Sequence, residues 1–266
     1  MGTYLSKRDK ENDEFISQRT LDVAKDVMSM IRQHSREEGL FRRSGRGMLR
    51  DHVLDSLRKG ERLRIANGPD SAKECAAALH LFLVQMKSPL IPRRVQQLLL
   101  ADNPGIEAQM IAEDALGLIR QDVSGRQSEL LRHLLELLRH LIINATLSQR
   151  ADTRSPPLAV IFLPVFFNLS TIDIMEWRRI ATRLNELIIE APYHLNRQNK
   201  QSDAIDGGVA PDQTILMARL TLYDPLVRGD QNRNDDQVND ETRQYDRYLQ
   251  RPLAGRLHPA ILRVRT

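Results

Sequence analysis

The chain has 266 residues, of which 41% are hydrophobic and 28% are charged, a composition typical of a globular protein. Its formal net charge of +4 comes from 39 basic and 35 acidic residues, and only 5% of the residues are aromatic. The charge imbalance is too small for a nucleic-acid-binding block and the aromatics too few for a base-stacking platform, so no nucleic-acid partner is expected.

The N-terminal residues 1–14 are expected to be flexible, and they lack the apolar core of a signal peptide. Gly2 with Ser6 fits the short pattern for myristoylation, which would provide a weak membrane signal. No apolar run is long enough to cross a bilayer, and the lone Cys75 excludes an intrachain disulfide. These features predict a cytoplasmic protein whose membrane contact is indirect or depends on the N-terminal signal.

Helical periodicity dominates residues 15–198, which we interpret as one domain. Apolar residues three and four apart predict a helix along "RTLDVAKDVMSMIRQH" and another that ends at Gly60. Ser71 and Glu74 have the spacing of a capping box and predict the start of a third helix. "KSPLIP" ends this helix because proline cannot donate to the helical ladder, and "RRVQQLLLA" forms a short helix after it.

The second half of the domain is helical as well. A helix runs through Met110 and Leu118, and "QSELLRHLLELLRHLI" is apolar on more than one face, which predicts a position at the centre of a bundle. "SPPLAVIFLPVFFN" begins with a serine cap and is interrupted by Pro164, and "MEWRRIATRLNELIIE" is a last amphipathic helix. No alternating strand pattern occurs, so we predict an all-α fold of about eight helices. Residues 199–266 have a polar, linker-like composition and predict a flexible tail with short docking segments.

Common enzyme signatures are absent from the sequence. It contains no phosphate loop GxxxxGK[ST], no GxGxxG, no HExxH and no GxSxG. His133 and His140 lie seven residues apart, which is too far for chelation on one helix, so no metal site and no cofactor are expected.

Two adjacent arginines stand in the short loop between the first two helices, in "EEGLFRRSG", residues 37–45. A patch that serves only solubility would need neither the two glycines, Gly39 and Gly45, nor the aromatic Phe41. An arginine that reaches into a partner would benefit from both, because the glycines allow sharp turns and an aromatic ring can fix the loop.

This loop resembles the arginine-finger motif of the RhoGAP domain family, Glu-Gly-aliphatic-aromatic-Arg-x-Ser-Gly. Three further blocks are similar to the family's pattern in the same order: "ALHLFLVQMKSPLIP", the leucine-rich "QSELLRHLLELLRHLI", and "SPPLAVIFLPVFFN". The resemblance extends from about residue 18 to residue 195 and is closest to the subgroup similar to Rho GTPase-activating protein 19.

The resemblance implies a helical bundle that docks on a GTP-bound Rho-family small GTPase and inserts one arginine into its active site. By position after Leu40 and Phe41, that catalytic arginine finger is Arg42. The residues that would support the loop are Glu38, Gly39, Phe41, Arg43 and Ser44. GTP and Mg²⁺ belong to the partner, so the chain would need no cofactor and would not itself be an enzyme.

Three positions depart from the family pattern. His80 replaces a lysine that contacts the GTPase, Val84 replaces an arginine, and Val165 replaces an asparagine. Two functions therefore stay open: a GTPase activator, or a catalytically weak module that scaffolds or sequesters a GTP-bound GTPase. A third interpretation is that Arg42 pairs with an acidic neighbour, Glu37 or Glu38, and only ties down the loop. The sequence indicates neither which GTPase is preferred nor the oligomeric state.

Overall fold

The computed structural model describes residues 15–41, 47–145, 157–169 and 176–195. These ranges contain no strand and nine helices: α1 (Gln18–Gln33), α2 (Gly47–Lys59), α3 (Pro69–Val84), α4 (Arg93–Leu100), α5 (Ala108–Asp122), α6 (Gly125–Asn144), α7 (Leu158–Ile161), α8 (Leu163–Phe166) and α9 (Trp177–Leu195). The predicted all-α fold is confirmed. The helix count exceeds the prediction because the chain divides at Phe162 into α7 and α8, each of four residues.

The leucine-rich helix α6 packs against α1 and α9, whereas α9 contacts more helices and is the better-surrounded element. The buried leucines of α6 share one broad face: Leu130, Leu131, Leu134, Leu135, Leu137, Leu138 and Leu141. The helix is therefore amphipathic, and the prediction that it is apolar on more than one face is wrong. The remaining helices extend this core, since α9 also packs against α5, and α3 packs against both α1 and α2. Not one of the helices in the described ranges is both long and apolar enough to cross a membrane.

Gly60 ends α2, as the sequence predicted, and it does so against the start of α1. Its φ of +66° lies in the left-handed region, which L side chains rarely adopt. A Cβ at this position would stand 2.8 Å from the Cβ of Arg19 and 3.1 Å from the backbone N of Thr20. Glycine is therefore required here both by the backbone conformation and by the close approach of α1.

The predicted capping box at the start of α3 is wrong. The helix begins at Pro69, with Gly68 as its N-cap residue and no side-chain cap. Proline suits the first helical position because its φ is preset and its missing N–H would have had no helical partner. Ser71 therefore lies inside the first turn, and Glu74 is buried with its Oε2 atom lacking a hydrogen-bond partner.

Two arginines of α9 hold the end of α4. Arg183 is 4% exposed, and its Nη1 donates to the carbonyl oxygens of Leu99, at 2.8 Å, and of Ala101. Arg179 also donates to the Ala101 oxygen. These bonds satisfy carbonyls that have no partner within α4, and the positive charges oppose the negative end of the helix dipole. Burial lowers the pKa of Arg183 from its ordinary value.

Candidate functional site

The loop that follows α1 is fixed at its start by Asn67, from the segment before α3. The Asn67 Nδ2 donates to Gln33 Oε1 at 2.9 Å, and the His34 Nε2 donates to Asn67 Oδ1 at 2.9 Å. The backbone N–H of His34 donates to the Ile31 carbonyl at 3.1 Å, which closes the last turn of the helix. The chain therefore leaves α1 with its last turn closed and with two side-chain hydrogen bonds to a neighbouring segment.

Gly39 reverses the chain within this loop, with a φ of +72°. Because α1 already ends at Gln33, the glycine bends the loop itself and not the exit from the helix. Next to it, Leu40 is buried at 6% exposure, Phe41 is half-buried, and Glu38 is exposed. The residues Arg42, Arg43 and Ser44 lie outside the described residues.

Three aromatic rings meet beside the loop, and we call Phe41, His80 and Phe162 the aromatic cluster. The ring of Phe41 contacts that of Phe162 edge to face, with centroids 5.1 Å apart and planes at 77°. His80 contacts Phe162 in the same way, at 5.3 Å and 86°. Phe162 is fully buried, so it forms the base on which both other rings rest. The cluster thereby links the loop, α3 and the turn between α7 and α8.

His80 is hydrogen-bonded within the domain. Its Nε2 lies 2.9 Å from the carbonyl oxygen of Ile161. A carbonyl oxygen can only accept, so Nε2 carries the proton and donates. Burial lowers the pKa of the imidazole below its ordinary value, although the bond to Ile161 opposes this shift. At neutral pH the ring is therefore uncharged, and its Nε2–H is already used.

The other two positions that depart from the family pattern are aliphatic and offer no hydrogen bond. Val84 lies one turn beyond His80 on α3 and is half-buried. Val165 lies on α8 and is 6% exposed. Asn168, the nearest asparagine after it, is exposed just beyond α8. These three positions thus provide one imidazole that is already hydrogen-bonded and two valines that cannot donate.

The sequence did not single out Phe162 or the Ile161 carbonyl, although both lie in the quoted block "SPPLAVIFLPVFFN". Pro164 signalled a break in the helix, but its missing N–H frees the carbonyl of Val160, four residues earlier, so it did not single out the Ile161 carbonyl. Which side chain satisfies that carbonyl depends on tertiary packing.

Within the described ranges, one group of side chains could hold a metal ion. Glu113 on α5, and Glu190 and His194 on α9, each offer a ligand atom, and these atoms lie within 4.8 Å of one another. Gln109 orients Glu113 by donating to its Oε1 at 3.1 Å. This group belongs to helices that carry no member of the aromatic cluster.

The family model for the RhoGAP domain matches residues 22–171, more than half of the chain. The match begins in α1 and ends beyond α8, so it includes the loop and all three residues of the aromatic cluster. No curated protein and no solved structure has a significant match to the chain.

The chain belongs to the RhoGAP domain family. This membership agrees with the all-α fold and implies a Rho-family GTPase as partner and GTPase activation as the general activity. It does not support the narrower resemblance to the subgroup of Rho GTPase-activating protein 19.

Proposed function

We propose that this chain accelerates GTP hydrolysis by a GTP-bound Rho-family GTPase, and that Arg42 is the arginine finger that it inserts into the partner's active site. The observation that supports this proposal most is the contact between Phe41 and Phe162, because Phe41 is the residue immediately before Arg42. Leu40 is buried in front of it. The residue immediately before the proposed finger is therefore held against the domain by its packing.

An arginine at this point would act on the transition state of phosphoryl transfer. Negative charge is spread there over the γ-phosphoryl oxygens, and a guanidinium group supplies a permanent planar cation with several donors that match phosphate oxygens. In the Ras system, a finger supplied in trans is worth about 10³- to 10⁵-fold in rate. Because the chemistry takes place on the partner's GTP and Mg²⁺, the chain contributes one residue and no cofactor.

The remaining loop residues are proposed to present Arg42 and not to react. Gly39 supplies the turn, and the neighbouring Glu38, Arg43 and Ser44 complete the motif that the family shares. A small GTPase at a membrane would bring the chain to that surface from the cytoplasm. This view requires no membrane anchor of the chain's own.

A second candidate function rests on a specific observation, the engagement of His80 inside the domain. An imidazole that donates to Ile161 has no second N–H for a partner while it is neutral, and the valines at positions 84 and 165 cannot donate at all. An interface that lacks these polar contacts could bind a GTP-loaded GTPase without stabilising the transition state well. The chain would then act as a scaffold or a sequestering module.

Single-turnover hydrolysis by a panel of Rho, Rac and related GTPases distinguishes the two functions. Each GTPase is loaded with GTP and mixed with the full chain, and binding is measured in parallel with a non-hydrolysable GTP analogue. Arg42→Ala is the test variant, and Arg43→Ala is its matched control from the same loop. The activator function predicts that at least one GTPase is accelerated, that Arg42→Ala removes most of the acceleration, and that Arg43→Ala retains most of it.

The outcomes separate cleanly. Acceleration that survives Arg42→Ala would contradict the assignment of Arg42 as the finger. The same holds if Arg43→Ala is the substitution that removes the acceleration. GTP-dependent binding without acceleration of any GTPase would establish the binding module instead. Absence of both binding and acceleration across the panel would contradict both functions.

A further inference from the structure

We propose that His80 is a positioning residue that holds the break between α7 and α8 in place beneath Phe41, and that it does not contact the GTPase. The inference rests on the proposed function for its catalytic consequence. The structural part, a link from α3 through Phe162 to the loop, stands on contacts between described residues. It assigns an internal role to a position where the family pattern has a lysine directed at the partner.

The backbone hydrogen bonds change at the break between α7 and α8. In an unbroken α-helix, the Ile161 carbonyl would accept from the N–H four residues later, that of Val165. Here the Val165 N–H donates to the Phe162 carbonyl instead, at 3.0 Å, which is the tighter bond expected where a helix is interrupted. The Ile161 carbonyl consequently takes its hydrogen bond from outside the helix.

His80 supplies that hydrogen bond. Its Nε2–H donates to the Ile161 oxygen at 2.9 Å, a normal length for a bond between N–H and O. A partly buried carbonyl without a donor is costly, so this bond fixes the break relative to α3. The lowered pKa of the imidazole keeps the ring neutral, which avoids placing a charge against the phenyl ring of Phe162.

Phe162 connects the hydrogen-bonded break to the loop. Phe162 directly follows Ile161, and its ring supports both the His80 ring and the Phe41 ring edge to face. A shift of the break would therefore move the surface on which Phe41 rests. Since Phe41 precedes Arg42, the expected consequence of losing the His80 bond is a misplaced finger on an otherwise intact partner surface.

A positioning role and a partner-contact role make opposite kinetic predictions. A residue that only aims Arg42 affects the maximal rate of activated hydrolysis, whereas a residue at the interface affects the concentration of chain that gives half-maximal acceleration. If position 80 contacts the partner, a lysine there should strengthen that contact. If position 80 holds the break internally, a lysine should disrupt it, because a flexible charged chain replaces a flat neutral ring.

The test uses the full chain with four substitutions, of which His80→Lys serves only in the kinetic measurement. His80→Phe retains an aromatic ring against Phe162 and removes the donor. His80→Gln removes the ring and retains an amide N–H that can reach a carbonyl, and it provides a second variant should the first fail to fold. His133→Phe is the matched control, because His133 is also half-buried but lies on α6 with the charged neighbours Glu129 and Glu136.

Two measurements are independent of any GTPase. Nitrogen-15 NMR of the wild-type imidazole at pH 7 is expected to show the neutral tautomer with the proton on Nε2. Hydrogen exchange followed by mass spectrometry is expected to show about five- to tenfold faster exchange in peptides covering residues 34–41 and 158–167 for His80→Phe, as the loss of one buried bond implies. His133→Phe leaves both peptides at the wild-type rate.

The third measurement is single-turnover hydrolysis with a responsive GTPase over a range of chain concentrations. His80→Phe is expected to lower the maximal rate about five- to tenfold, with the half-maximal concentration within about twofold of wild type. His80→Gln is expected to recover part of the lost rate. His80→Lys is expected to reduce the maximal rate without improving the half-maximal concentration.

Three results would overturn the inference: a proton on Nδ1, unchanged exchange in both peptides for His80→Phe, or a maximal rate that is retained while the half-maximal concentration rises. If wild type accelerates no GTPase, the proposed function fails by itself, and the tautomer and the exchange rates still decide whether His80 holds the loop.

Discussion

Replacing Gly60 with alanine provides a stringent test of the described packing, because two separate costs apply at this position. Alanine in the left-handed region costs about 1–2 kcal/mol, partly offset by about 0.4–1 kcal/mol from the restricted unfolded chain. Its Cβ would also stand 2.8 Å from the Arg19 Cβ and 3.1 Å from the backbone N of Thr20. Because these neighbours belong to the first turn of α1 and not to a flexible side-chain end, relief requires a helix shift, and overpacking of this kind costs about 1–3 kcal/mol.

The expected loss is therefore about 2–4 kcal/mol of unfolding free energy, which lowers the melting temperature by roughly 5–15 °C in a domain of this size. Gly117→Ala is the matched control. Gly117 lies within α5, and a Cβ there would meet no atom within 4 Å. Alanine at this position is expected to stabilise the chain by about 0.5–1 kcal/mol, because glycine is a poor helix former.

Urea unfolding of the two variants and the wild type, monitored by far-ultraviolet circular dichroism, measures both effects. The two glycine-to-alanine substitutions are chemically identical, yet they are expected to change the unfolding free energy in opposite directions. A Gly60→Ala variant as stable as wild type would show that the chain does not turn there as described. A Gly117→Ala variant that is strongly destabilised would show that α5 has less room than the structure gives it.

Three further predictions concern buried polar groups. Arg183→Met is expected to cost about 1–3 kcal/mol of unfolding free energy, because the Leu99 carbonyl loses its buried donor while the Ala101 carbonyl keeps that of Arg179. Arg183→Lys should recover only part of this cost, and equal stability of Arg183→Met and wild type would contradict the prediction. The free energy of unfolding should fall as the pH drops from 7 through 6.5 to 5, because burial lowers the pKa of His80 and the unfolded chain therefore binds the proton first. Urea titrations at three pH values would measure this, and a rise in stability on acidification would refute it. Cys75 should not react with a thiol reagent at pH 8 in the folded chain, since burial, with a smaller effect of Glu74, raises its pKa to about 12; rapid modification without denaturant would contradict its placement.

The helices could be predicted from the sequence because their causes are local or periodic. The leucines of α6 recur three and four residues apart, which predicts a helix with one apolar face, although that helix lies less deep in the bundle than the sequence predicted. Gly60 marks the end of α2 because its backbone lies in the left-handed region, which glycine tolerates better than other residues. The start of α3 was misassigned because the spacing of Ser71 and Glu74 is local information that Pro69 overrides.

The site was only partly predictable, because its parts are brought together by tertiary packing. The motif "EEGLFRRSG" identified the loop, and its aromatic Phe41 does pack against the bundle. The base on which it packs, Phe162, comes from a distant part of the chain and has no local signature that distinguishes it from other core phenylalanines. His80 was considered as a partner-contact position, whereas its nearest acceptor is a carbonyl freed by a helix break far along the chain. The assignment of Arg42 itself continues to rest on the motif and on family membership.

The central claim is that one guanidinium group from this chain completes the nucleotide site of a Rho-family GTPase. Its most direct test is the single-turnover rate of GTP hydrolysis at a saturating concentration of the full chain, compared between wild type and Arg42→Ala. The activated rate of the variant is expected to be at least about a hundredfold lower, with unchanged affinity for the GTP-loaded partner. Equal activated rates for the two proteins would contradict it.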